Sequence, residues 1–316
     1  MVGSVSLTGL GLARARMDLD GDGRDDIVWR NPAGGQDYAW LMNGLSVASQ
    51  GFLTAVPGND WQIQGVADLD GDGKADLVWR NATSGDNYLW LMNGLSASPV
   101  ALPTIADPNW KMAGLADLDG DGRADIVWHN TATGENYLWL MNGSGITGSG
   151  YLAAIPTTWQ IAGVADLNGD GKADIVWHNA TTGENYAWLM NGLTIQSQGY
   201  LPTVPDANWQ IQGIADVDGD GKADLIWHDS LTGENYLWLM NGMSIAGQGY
   251  LPTVTNPDWQ MVSFADVDGD GKADILWRNT ANGQDYVWLM DGLNVPIAGR
   301  AYLPTVADSG WGVKGR

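Results

Sequence analysis

Short apolar runs alternate with breaks rich in Gly, Asp and Pro along this chain, and each run is too brief for a helix. Residues 61–110 give the unit. Trp61 to Ala67 (WQIQGVA) predicts a first strand, and Asp76 to Asn81 (DLVWRN) a second. Ala82 to Gly85 reads as a turn. Asn87 to Asn93 (NYLWLMN) predicts a third strand, rich in aromatic residues. Asn93-Gly94 signals a two-residue hairpin, because a type I′ turn needs positive φ at both central positions. Leu95 to about Leu102 predicts a fourth, weaker strand, and Pro103 to Asn109 leads to the next Trp.

Alternation assigns the faces. In the third strand Tyr88, Trp90 and Met92 point one way while Leu89 and Leu91 point the other; in the second, Leu77 and Trp79 oppose Val78. Strands apolar on both faces need cover on both faces. The unit recurs: boxes of the form Asp68-Leu-Asp70-Gly-Asp72-Gly-Lys74-Ala-Asp76 begin at Asp18, Asp68, Asp117, Asp166, Asp216 and Asp266. A fixed period near 50 residues means stacked copies of one supersecondary unit. Four antiparallel strands per unit, each sheet packed between two others, predict an all-β fold, a six-bladed β-propeller, in preference to a linear solenoid. The expected blades run over about 11–58, 59–107, 108–156, 157–206, 207–256 and 257–306, with 307–316 as a closing strand of a single domain covering 1–316. The ends leave an alternative. Trp311 to Gly315 repeats the first-strand pattern, yet Leu12 to Met17 stands in that slot before the first box, which also fits seven blades with one incomplete.

The boxes carry the clearest chemistry. Oxygen ligands at alternate positions suit a hard divalent cation, above all Ca²⁺. Carboxylates at positions 1, 3, 5 and 9 and the backbone carbonyl of position 7 form the expected set. These are Asp18, Asp20, Asp22, Arg24 and Asp26; Asp68, Asp70, Asp72, Lys74 and Asp76; Asp117, Asp119, Asp121, Arg123 and Asp125. They continue as Asp166, Asn168, Asp170, Lys172 and Asp174; Asp216, Asp218, Asp220, Lys222 and Asp224; Asp266, Asp268, Asp270, Lys272 and Asp274. One Ca²⁺ per repeat, up to six, is expected. Asn168 keeps an oxygen but loses a charge, so the fourth site should bind more weakly. An EF-hand loop needs a Glu at position 12 and flanking helices; position 12 here is Trp79 and the flanks read as strands.

Composition agrees. The net charge of −22 comes mainly from the boxes, whose positions 1, 3, 5 and 9 hold 23 of the 37 acids. No basic stripe suggests nucleic acid. Absence of Cys excludes a disulfide framework and Cys-ligated zinc. No apolar run is long enough for a membrane span, and residues 1–16 do not read as a signal peptide. Calcium loops of this kind point to an extracellular or cell-surface setting, where calcium is abundant.

An apolar strand, then D-x-D-G-D-G-x-x-D, then Leu/Ile-Val-Trp, as in Ala67 to Trp79, resembles the FG-GAP or VCBS repeat of integrin α-subunit-like propellers. The resemblance spans about 11–316. It implies a calcium-binding propeller with a structural metal in the loop between the first two strands of each blade. The family's Gly-Ala-Pro after the second strand is replaced by Trp-Arg-Asn or Trp-His-Asn, so integrin-type partner binding is not carried over.

Two repeated series are candidate ligand contacts. After the second-strand Trp stand Arg30, Arg80, His129, His178, His228 and Arg278. In the next hairpin stand Glu135-Asn136, Glu184-Asn185 and Glu234-Asn235, each followed by Tyr. Such sets could hydrogen-bond sugar hydroxyls while a ring stacks on the sugar face; turn capping and a solvated strand end are the simpler readings. A His that swaps with Arg between equivalent units is a poor catalytic base, and no nucleophile–base pair stands out, so an enzyme is not expected. The sequence thus predicts a multivalent, lectin-like calcium propeller, with a glycan as partner. The alternatives are an extracellular protein partner in adhesion, or a scaffold with no small ligand. The Trp61 series is expected to be partly exposed and the other Trp residues to pack between blades.

Overall fold

The computed structural model describes residues 17–314. They form six four-stranded antiparallel sheets. Blade 2 shows the pattern: Trp61–Ala67, Asp76–Asn81, Asn87–Asn93 and Ser96–Leu102, paired in that order. These strands match the sequence expectation to within a residue. Blades 3 to 6 repeat it, starting from Trp110–Ala116, Gln160–Ala165, Trp209–Ala215 and Trp259–Ala265. The first strands of successive blades lie against one another in a closed cycle, so they line the axis. Among the described residues the only helix is one 3₁₀ turn, Ile297–Gly299.

Blade 1 is assembled from both ends of the chain. Ile27–Asn31, Gln36–Asn43 and Ser46–Phe52 supply three strands, and Gly312–Lys314 supplies the innermost one, with Val313 opposite Trp29. The ring therefore has six blades and closes with a C-terminal strand. Of the N-terminal segment expected in that slot, only Met17 is among the described residues. Its carbonyl accepts from the Asp26 N–H, and its own N–H donates to the Asp25 carboxylate. The other Asp25 oxygen accepts from the Asp266 N–H of blade 6.

Apolar packing lies between blades. Val78, Leu89 and Leu102 of blade 2 meet Ile126, Trp128 and Trp139 of blade 3 in one cluster. Both faces of each sheet are covered, as two-sided apolar strands require. Inner-strand glycines let the neighbour close in: a Cβ on Gly114 would lie 2.4 Å from Val164 Cγ2.

The Asp boxes join first to second strands at one end of the ring. The turns between second and third strands, and the linkers between blades, lie at the other. The box end is stitched by backbone bonds that repeat six times. The position-8 N–H of each box donates to the position-1 carbonyl of a neighbouring box, as from Ala75 to Asp18 and from Asp25 to Asp266. The hairpin glycine of each blade donates to a position-2 carbonyl of its neighbour, as from Gly94 to Leu19.

Candidate metal loops and the blade walls

In the second box the glycines at positions 4 and 6 have φ of +81° and +88°. This is left-handed backbone that glycine adopts without a Cβ penalty. The loop thereby turns its N–H groups inward. Asp68 Oδ1 accepts from Gly71 N–H at 2.6 Å, and Oδ2 from Gly73 N–H at 2.9 Å. Asp70 accepts from Asp72 N–H, and Asp72 from Lys74 N–H. The Lys74 ammonium pairs with the second Asp72 oxygen at 3.3 Å.

Position 9 differs. Asp76 is buried, and its two oxygens accept from Leu69 N–H in the box and Met92 N–H in the third strand, both at 3.0 Å. All six blades repeat the bond to the equivalent Met, which in blade 6 is Met290, just past the third strand. The carboxylate expected as a metal ligand is therefore also a clamp between loop and sheet. Burial pushes these carboxyls up, to about 7 in Asp76, Asp125 and Asp174, about 8 in Asp26 and Asp224, and about 9 in Asp274.

Carboxylate oxygens converge in five boxes. One atom from each of Asp68, Asp70 and Asp76 lies within 4.8 Å of the others. So do those of Asp117, Asp119 and Asp125; Asp216, Asp218 and Asp224; and Asp266, Asp268 and Asp274. In the first box the converging set is Asp18, Asp20 and Asp22, without Asp26. The donors are all hard oxygens with lone pairs left over after the backbone bonds, so they fit Ca²⁺. In the fourth box the Asn168 amide donates to Asp170 Oδ2 at 3.2 Å, and the Lys172 ammonium turns to Asn191 instead.

The Arg/His and Asn series lies elsewhere, in the blade walls at the linker end. Arg30, Arg80, His129 and Arg278 are buried; His178 and His228 are half-buried. Asn136, Asn185 and Asn235 have no exposed surface. Each His Nδ1 lies 2.7–2.8 Å from the Oδ1 of its Asn, whose amide nitrogen donates to a linker carbonyl. Arg80 bonds Asn87 and the carbonyls of Gly85 and Ile105. Arg30 and Arg278 pair with buried Asp37 and Asp285 at 2.9 and 3.0 Å. Each of these cations or rings reaches the buried Trp of the next blade. Arg30 Cζ sits 4.7 Å from the Trp79 ring, and the His129 ring 5.5 Å from Trp177.

This corrects two expectations. The strand end is a packed wall rather than a solvated one, and the Asn residues hold the linker rather than face a ligand. Arg and His interchange because either fills the wall and meets the same Trp. Glu135, Glu184 and Glu234 remain at the surface, each accepting from a Thr hydroxyl two residues earlier.

The fourth strands, expected from the sequence, carry exposed rings that the sequence alone did not single out. Phe52, Tyr151, Tyr200, Tyr250 and Tyr302 end them in five blades and are 61–66% exposed, with Ala101 in the sixth. Each packs against the third-strand Tyr, as Tyr200 does against Tyr186 with ring centroids 4.8 Å apart. The signal was the recurring Gly-Tyr-Leu before the linker, as in Gly199-Tyr200-Leu201.

The FG-GAP-like repeat model matches residues 18–79, 68–128, 117–177, 166–227 and 216–277. No curated protein matches the chain. Among solved structures, one from a nidogen/laminin complex is 13% identical with a TM-score of 0.59, covering 92% of this chain and 96% of its own. A streptogramin B lyase is 8% identical with a TM-score of 0.54, covering 96% of this chain and 86% of its own. At these identities the likeness is one of fold, and it reaches both a binding protein and an enzyme. The repeat matches, each running from one Asp box through the second-strand Trp of the next blade, place this chain in the FG-GAP repeat family.

Proposed function

We propose that this chain is a non-catalytic binding propeller that works outside the cell, is pinned by calcium at its Asp boxes and contacts carbohydrate through its rim aromatics. The observation that carries the sugar reading is the repetition of an exposed ring at one strand position in five of six blades. An exposed amide accompanies it: Gln198 and Gln248 lie two residues before Tyr200 and Tyr250, on the same strand face. A ring beside an amide can stack on a sugar face and bond a hydroxyl. Copies on one rigid ring raise avidity without new contacts. The rim rings take the place of the covered Asn series as the sugar-contact surface.

A glycan-array screen of the calcium-loaded protein tests it. One sugar class should bind, be competed by free monosaccharide, and weaken at least tenfold in the Tyr200→Ala/Tyr250→Ala variant. A blank array, or binding indifferent to both changes, would move the rim to a protein partner. Metal analysis of the same sample should find about five tightly held calcium ions, and Asn168→Asp should add one more. Calcium absent after dialysis into millimolar CaCl₂ would remove the metal from the reading.

A further inference from the structure

Among the described residues, two half-open grooves in the blade walls at the linker end each carry a lysine. Among the described residues, six Lys or Arg sit at position 7 of the boxes, and Arg30, Arg80 and Arg278 are bonded within the walls. Arg300 donates to the Val295 carbonyl. Lys111, exposed at the surface, and Lys314 make no ion pair and no side-chain hydrogen bond among the described residues, although Lys314 feels both the Arg30 cation and the buried Asp37 carboxylate. Each lines one of the two cavities.

The cavity between blades 3 and 4 has a volume of about 290 Å³. Lys111 lies directly opposite His129 across the strand pair, so their side chains share a face. Thr131, Thr157, Gln160 and Trp159 complete its polar and aromatic wall. The cavity between blades 1 and 2, about 490 Å³, repeats the set with Lys314, Arg30, Asn59, Gln62 and Trp61. Neither lining includes an Asp or Glu, in a chain with 37 of them. At the Lys111 position blades 2, 4, 5 and 6 carry Gln62, Gln160, Gln210 and Gln260, so the charge is particular to one blade.

We infer that these two cavities bind a small organic carboxylate, with the Lys ammonium on the carboxylate and the amide and hydroxyl groups on polar substituents of its body. His129 assists. Its Nδ1–H donates to Asn136 Oδ1, so Nε2 of the neutral ring is left to accept from a hydroxyl of the ligand body. The Trp ring gives the body an apolar wall. An ammonium–carboxylate contact is a charge-assisted hydrogen bond, stronger than a neutral one. The inference stands apart from the rim reading, because it uses different residues and a charged ligand.

The test is ligand-observed NMR titration of the full chain with galacturonate, galactose and glutamate at fixed ionic strength. At least one of the two carboxylates should bind, and galactose at this site should bind at least fivefold more weakly. Galacturonate alone would assign a sugar acid, and glutamate alone an acidic peptide group. Lys111→Gln should remove about half of the bound ligand and Lys111→Arg should retain it, each with an unchanged melting temperature. The double variant Lys111→Gln/Lys314→Gln should remove the rest. Binding of neither carboxylate would overturn the inference, as would binding unchanged in Lys111→Gln or lost only with Tyr200→Ala/Tyr250→Ala.

Discussion

At the residue scale, the six position-9 carboxylates and the six position-3 groups differ in what they hold. Asp76 satisfies two buried N–H groups, from Leu69 and Met92. The Asp70 carboxylate accepts only from the Asp72 N–H, within the loop, and offers an oxygen to the converging carboxylates of the candidate metal site. Leaving a buried donor unpaired costs roughly 1–3 kcal/mol. Asp76→Ala should therefore lower stability by about 2–5 kcal/mol in EDTA as well as in calcium. Asp70→Ala should change the EDTA-treated protein by less than about 0.5 kcal/mol, as surface substitutions usually do, and show its cost only with calcium present. Urea unfolding of both variants in each buffer decides this; equal losses for the two variants in EDTA would refute the clamp.

At the element scale, each linker crosses a turn glycine at close range. Gly134 has φ +77°, its carbonyl accepts from Ile155 N–H, and a Cβ there would lie 1.9 Å from the Ile155 oxygen. Gly73 has φ +88° but nothing within 4 Å of its Cβ position. In the metal-free protein Gly73→Ala should cost about 1–2 kcal/mol, the usual penalty for left-handed backbone. Gly134→Ala adds a clash with backbone and should cost upwards of about 3 kcal/mol. Comparable midpoints for the two variants in urea would mean that the linker gives way. The same contact shows why the turns hold their register although the Arg/His residues beside them vary.

At the scale of the whole molecule, the six position-9 carboxyls, raised furthest, dominate the pH response, with Asp37 and Asp285, raised by burial to about 6, acting in the same direction. Each of the six has a folded value of about 7 to 9 against an ordinary 3.8, because burial disfavours the ion. Between those limits the folded metal-free chain holds more protons than the unfolded one, so its stability falls as pH rises. The loss starts near pH 4 and is complete once pH has passed the folded values. Calcium held at the boxes, as proposed, would replace the proton as the neutralising charge, and its stabilising effect should then grow with pH. Melting curves at pH 5 and pH 8, in EDTA and in calcium, should show the EDTA protein weaker at pH 8 and the calcium increment larger there. A metal-free melting temperature that is flat or rises with pH would contradict the burial account. Ring closure belongs to this scale too, since blade 1 is complete only when Gly312–Lys314 reaches Ile27–Asn31.

The sequence by itself determined the blade. Strand alternation, the hairpin glycines and the Asp-Gly boxes are local signals, although each Asn-Gly hairpin holds only its glycine at positive φ and leaves the Asn in the strand, not the type I′ pair expected. Their regular recurrence required a repeated sheet covered on both faces. It also marked the carboxylates of the boxes, because ligand spacing within nine residues is a local property. What it left open was decided between blades. Whether the C-terminal strand closes the ring depends on contacts nearly 300 residues apart, such as Trp29 with Val313. That the Asn136 series is buried, and Tyr200 exposed, depends on how closely neighbouring sheets approach near the axis and how far they diverge at the rim. The lone charge of Lys111 likewise acquires a setting only when Trp159 of the next blade faces it across the cavity.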